Sequence, residues 1–177
     1  IEIKIVVEAT RQPISVLLEG KLDIAIVSNL QTDKRLQFEQ LFSDEMVVIM
    51  SRENPLAKRE HIRPEDLNGQ NYLTYTDLKE NSIYQQLLMP NEVKFANVSQ
   101  VHLTEAIIEM VTAGLGIAIL ARWAAARAVS EGSIIARQLT NKGFVRQWYA
   151  VHLKTDPPPD YFSKFIQQLQ TMNTESI

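Results

Sequence analysis

The chain has no cysteine. That excludes disulfides, a thiolate nucleophile and any cysteine-built zinc or iron–sulfur centre. No apolar run approaches the roughly 20 residues of a membrane-spanning helix, so no membrane partner is expected. The opening stretch IEIKIVVEAT lacks the basic start and long apolar segment of a secretory signal. Together these absences make the cytoplasm the expected location. Positive charge is also short: 18 Lys and Arg are scattered among 21 Asp and Glu, for a net charge of −3. A domain that grips DNA by itself carries a basic face to neutralise phosphates, so this stretch is not expected to read DNA directly. What is present is the balance of a globular protein, 45% hydrophobic and 22% charged over 177 residues. That length buries a sizeable core, as one domain or as two small lobes.

Residues 1–7 alternate in period two: Ile1, Ile3, Ile5 and Val7 fall on one side, which predicts a strand. Thr10 is placed to cap a helix with Pro13 in its first turn, an apolar stripe of Ile14, Leu17 and Leu18, and Gly20 as its stop. Leu22 to Val27 is almost wholly apolar and predicts a strand buried on both faces. Strand, helix and strand with short connections predict a parallel βαβ unit. Further strands are expected at Met46–Met50, Tyr72–Thr76, Val93–Val98, Ile117–Leu120 and Gln147–Leu153. Helices are expected near Ile83–Leu88, from about His102 to Ala113, over about Trp123–Glu131, and after Asp156-Pro157-Pro158-Pro159. The pattern is α/β without repeats. Two long extended stretches, Leu41–Met50 and Gln147–Leu153, enclose about a hundred residues of further α/β pattern, and they suggest a second lobe inserted into the first.

Few motifs point to catalysis. Gly114-Leu115-Gly116 follows a helix and precedes a strand, the reverse of the order a phosphate-binding loop needs. It is therefore expected to stop the helix and turn the chain, and no cofactor is expected. His61, His102 and His152 share no ligand spacing, so no metal site is expected. A nucleophile elbow of the form G-x-S-x-G is absent. A catalytic set can assemble from distant positions, but no acid, base or nucleophile has a visible partner. No catalytic residue and no enzyme are expected.

Hydroxyl and amide side chains instead gather at the ends of elements. Thr10 opens the first helix, Ser28 and Asn29 follow the strand ending at Val27, and Thr74, Tyr75 and Thr76 end another. Asn81 and Ser82 open the next helix, and Thr104 stands in the first turn of the long one. In open α/β sheets ligands bind beyond the carboxyl ends of the strands, where helix N-termini also favour anions. Each of these residues alone reads equally well as a cap or turn former. As a group they suggest a polar cleft.

Three segments carry a resemblance. Leu17-Leu18-Glu19-Gly20-Lys21-Leu22-Asp23-Ile24-Ala25-Ile26 is similar to the helix–glycine–strand signature of the effector domains of LysR-type transcription regulators. Leu41-Phe42-Ser43-Asp44-Glu45 through Asn54-Pro55-Leu56-Ala57 resembles their first lobe crossing, with Asn54 in place of the usual histidine. Met110 to Ala118 resembles their helix–glycine–strand turn. Within the family, Thr10-Arg11-Gln12-Pro13, Ile26-Val27-Ser28-Asn29, Arg63-Pro64-Glu65-Asp66-Leu67, Leu73-Thr74-Tyr75 and Arg122-Trp123 resemble the branch that regulates methionine biosynthesis.

The resemblance implies a type 2 periplasmic-binding-protein-like fold, with two α/β lobes joined by two crossover strands. Lobe I would be 1–43 with 147–177, and lobe II 44–146. It implies an effector in the interlobe cleft, a small amino acid or carboxylate such as homocysteine. Thr10, Asn81, Ser82, Ile83 and Thr104 match contact positions, and strand-end geometry adds Ser28 and Thr76. A homodimer or tetramer through these domains is implied, with DNA held only by a winged helix-turn-helix that this stretch lacks. The first strand and helix of lobe I are expected to be missing as well, which makes the fold N-terminally truncated. The alternative is a free-standing solute receptor of the same fold.

Overall fold

A computed structural model describes residues 2–6, 9, 12–28, 33–154 and 160–172. In chain order the elements are α1 (Pro13–Leu18), β1 (Ala25–Val27), β2 (Leu36–Met50), β3 (His61–Ile62), β4 (Asn71–Thr74) and β5 (Asn97–Gln100). Then come α2 (Thr104–Thr112), β6 (Ile117–Ala121), α3 (Arg122–Ser130), β7 (Ile135–Leu139), β8 (Phe144–Leu153) and α4 (Asp160–Met172). Contacts divide the chain into two compact units, residues 1–44 with 146–177 (unit 1) and residues 45–145 (unit 2).

In unit 1, β1 runs antiparallel to β8, with Ala25 opposite Val151 and Val27 opposite Tyr149. Strand β8 has β2 as its other neighbour. Ile14 and Leu17 of α1 close over Ala25, Val27, Leu36 and Val151. A separate cluster holds Ala150 together with Phe162 and Ile166, which the i, i+4 spacing places on one stripe of α4. Where both long strands leave the unit, the Arg146 guanidinium donates to both carboxylate oxygens of buried Asp44, at 3.1 and 2.6 Å. The same guanidinium lies 4.8 Å from the centre of the Trp148 ring, which stacks on Phe42.

Unit 1 corrects three expectations. Residues 2–6 form no strand, and Ile3 and Ile5 are 66% and 83% exposed. A period-two pattern makes a strand only where a neighbour supplies ladder bonds and a face to bury. The predicted ends of that strand, Ile1 and Val7, lie outside the described residues. No parallel βαβ unit forms among the described residues either: residues 2–6 make no strand, and β1 pairs antiparallel with β8. Nor is β1 buried on both faces: Ile26 is 48% exposed between buried Ala25 and Val27. Helix α1 does begin at Pro13, whose missing N–H is harmless there. Its N-cap position is Gln12, without a side-chain bond. Thr10, the expected cap, lies outside the described residues.

In unit 2, β2 is the central strand. It pairs antiparallel with β6, Met46 opposite Ala121, and with β7, Met50 opposite Ile135. Met46, Val48 and Met50 enter one core cluster while Val47 and Ile49 enter another. That alternation is the period-two geometry of a strand covered on both faces. Strand β4 lies parallel to both β5 and β6, so their carboxyl ends share one edge. Ile107 and Val111 of α2 and Ala125 of α3 pack on the Val47 face.

The glycine turn after α2 does what its order implied. Gly114 takes φ +74°, and a Cβ on Gly116 would stand 2.6 Å from the Asn71 carbonyl oxygen, so no larger residue fits there. Asn54 accepts from the Leu56 N–H at 2.9 Å and donates to Gln70 at 3.0 Å, so it caps the short 3₁₀ turn Pro55–Lys58. The expected strand at 93–98 is observed at Asn97–Gln100 instead, and β7 had no forecast.

Candidate functional site

The carboxyl edge of β4 and β5 in unit 2 collects most of the polar residues singled out from sequence. At its base is Tyr72, buried and stacked on Phe95 with ring centres 4.4 Å apart. Burial pushes the Tyr72 phenol up to about 12, against the opposing pull of its bonds with Asn81 and Thr74. It therefore stays neutral across ordinary pH. Thr74, also buried, donates its hydroxyl to the Thr76 carbonyl at 2.9 Å and folds the chain over at the strand end.

Asn81 ties this edge together. Its side-chain NH₂ donates to Thr74 Oγ1 at 3.3 Å and to the Tyr72 hydroxyl at 3.4 Å, while its oxygen accepts from the Tyr84 N–H at 3.0 Å. Oxygen at that position caps the helical segment that begins at Ser82 and continues as a π-turn, Tyr84–Leu88. Asn81 thus holds the turn in place through both ends of its amide. Ile83 is 3% exposed and sits in the core, so its side chain anchors the segment from beneath. Ser82 and Thr76 remain half-buried at the edge.

The second wall follows β5. The Val101 N–H donates to the Thr74 carbonyl at 2.9 Å, which carries the chain past the end of β4 before α2 starts at Thr104. Its N-cap position, Leu103, gives no side-chain cap. The first-turn N–H groups, which have no partner within a helix, are thus left without a side-chain acceptor at the cap. Such N–H groups and the helix dipole favour an anion.

The structure therefore brings Thr76, Asn81, Ser82 and Thr104 to one edge of unit 2. It places Ser28 elsewhere, in unit 1 at the carboxyl end of β1, and Thr10 lies outside the described residues. Sequence reasoning missed His102 at this edge. Its ring meets exposed Tyr75 edge-on at 6.4 Å. Both follow strand ends, but only the parallel register of β4 and β5 brings them together. Among the described residues no group of His, Asp and Glu is arranged to hold a metal ion. No described helix is long and apolar enough to cross a membrane.

Comparison with known proteins gives this edge its context. The LysR substrate binding domain family matches residues 1–173. The HTH-type transcriptional regulator MetR of Haemophilus influenzae is 28% identical over 180 residues, covering 100% of this chain and 57% of the relative. MetR of Escherichia coli is 27% identical over 143 residues, covering 80% and 45%. The chain spans about half the length of these curated relatives, which are named as regulators and not as enzymes. Among solved structures, the regulatory domain of MetR, a LysR family regulator from N. meningitidis, superposes with a TM-score of 0.85 at 28% identity. That match covers 94% of this chain and 77% of the other. The fold is thus that of LysR regulatory domains, periplasmic-binding-protein-like of type 2. By its family match over 173 of 177 residues, the chain belongs to the LysR substrate-binding domain family.

Proposed function

We propose that this chain is the effector-sensing domain of a LysR-type transcription regulator of the methionine-biosynthesis branch. Its effector is a small carboxylate or amino acid, with homocysteine as the specific candidate. The observation that carries the reading is the edge of unit 2, where the N-terminus of α2 at Thr104, without a side-chain cap, adjoins the turn held by Asn81. A carboxylate there would meet N–H groups and hydroxyls without having to displace a side-chain cap. The lobe boundaries 1–43 with 147–177 and 44–146 belong to the same proposal. So do Ser28 and Thr10 as contacts from the other lobe, and association of the domains as a homodimer or tetramer.

DNA contact is assigned to the helix-turn-helix that gives the relatives their name, since the charge of this stretch, −3, offers no basic counterpart to phosphate. The cytoplasm is the corresponding location. An effector acts by preferring one of the domain's states over the other. The test is a thermal-shift titration of the intact chain with homocysteine, methionine and acetate. Binding should raise the melting temperature by mass action, and Thr104→Val should weaken the response. Silence toward every sulfur amino acid removes homocysteine from the proposal. An unchanged response in Thr104→Val removes Thr104.

A further inference from the structure

Unit 1 contains a cavity of about 460 Å³ between α4 and the strands β2 and β8. That volume lies within the roughly 300–1,000 Å³ typical of small-molecule sites. Its floor is apolar and well packed: Phe162 and Ile166 of α4 are buried, as is His152, whose ring meets Phe162 edge-on at 4.4 Å. A ring nitrogen facing a carbonyl carries the proton, so His152 Nδ1 donates to the Leu153 oxygen at 2.9 Å.

The rim carries two opposite charges that do not meet. Lys154 and Glu39 both line the cavity, yet neither forms an ion pair among the described residues. Among the described residues Glu39 accepts a neutral bond, from Gln37 at 3.2 Å. An ammonium and a carboxylate without an ion-pair partner among the described residues, set over an apolar floor, are the complement of a zwitterion with an apolar side chain.

We propose that this cavity is a second small-molecule site, and that it takes an α-amino acid with an apolar side chain. The ligand carboxylate meets Lys154, its ammonium meets Glu39, and its side chain lies on Phe162, Ile166 and the His152 ring. All of these residues belong to unit 1, so the proposal stands apart from the reading of the unit 2 edge.

The test is calorimetric titration of the intact chain with L-norleucine as the probe. A binding event is expected that Lys154→Gln and Glu39→Gln each weaken roughly tenfold or more. Lys154→Arg should restore most of the affinity. Because both residues stand on the rim, the melting temperature of each variant should match that of the parent and so separate lost binding from lost folding. Absence of L-norleucine binding overturns the proposal, as does binding that survives both glutamine substitutions. Binding lost only in Thr104→Val overturns it too, by assigning the probe to unit 2. Loss in Lys154→Gln without loss in Glu39→Gln overturns the zwitterion assignment. None of these failures touches the carboxylate edge of unit 2, which the thermal-shift test decides separately.

Discussion

The two units bury their strands differently. In unit 2, Val47 to Met50 of β2 are fully buried, because β6 and β7 pair along its two sides and a core cluster covers each face. In unit 1, β1 has one neighbour among the described residues, β8, and exposes Ile26 between two buried residues. Among the described residues, fourteen and eight buried residues make the two clusters of unit 2, against six and three in unit 1. Unit 2 therefore rests on packing, and its polar edge stands on a frame that resists displacement. Unit 1, whose described core clusters are smaller, carries specific polar anchors such as Asp44–Arg146 and should open at lower free energy.

The two tryptophans, Trp123 in unit 2 and Trp148 in unit 1, let each unit be followed separately. In urea, Trp148 fluorescence should change at a lower midpoint than Trp123 fluorescence, each read with the other replaced by Phe. Coincident midpoints would break the comparison. The largest mutational effect is expected at the centre of unit 2. There Ile49→Ala should cost up to about 5 kcal/mol, the cavity cost of a residue with no room to relax, read from the Trp123 transition. Asp44→Asn should cost about 3 kcal/mol in the Trp148 transition, since it leaves Arg146 facing a neutral group. An effect confined to Trp123 would show that the pair does not anchor unit 1.

Smaller effects sharpen the account of the site. Asn81→Ala should cost about 1 kcal/mol, the loss of a cap, and it should weaken effector binding by releasing the 76–82 turn. Stability loss without any binding loss would make Asn81 a cap and nothing more. The smallest effect is one of pH. Folded Tyr72 holds its proton up to about pH 12, whereas the unfolded chain releases it near the ordinary value of 10. The stability this provides is fully present below pH 10 and is lost as pH rises from 10 toward 12. The Trp123 urea midpoint should fall over that window, and Tyr72→Phe should flatten the fall. An equal fall in Tyr72→Phe would assign the effect to other groups.

Local patterns were the legible part of the fold. Pro13, Gly20 and Gly114 marked helix ends because each acts through its own backbone, whatever it packs against. The run Met46–Met50 announced a strand through its apolar content, while its central place shows only in its pairing with β6 and β7. Pairing was less legible. The segment 2–6 carries a strand pattern without a partner among the described residues, and β1 joined β8, more than a hundred residues away, in the antiparallel sense. Strand β7 was missed because Arg137 and Gln138 interrupt its apolar run; the Arg137 guanidinium donates to the Ala57 carbonyl at 2.7 Å, a contact no spacing reveals. At the candidate site, strand-end position pointed to Thr76, and helix-start position to Ser82 and Thr104. Neither could show that the Asn81 amide is engaged at both ends, that the Ile83 side chain is buried, or that His102 meets Tyr75.

The central claim is that a small carboxylate binds where α2 begins, on the edge framed by Asn81. Its most direct test follows the backbone amide resonances of the intact chain during titration with homocysteine. The account expects saturable shifts concentrated at Thr76, Ser82 and Thr104–Ala106, with the Thr104 to Ala106 amides moving downfield as they donate to the anion. Saturation that leaves the amides at the start of α2 unmoved would contradict it.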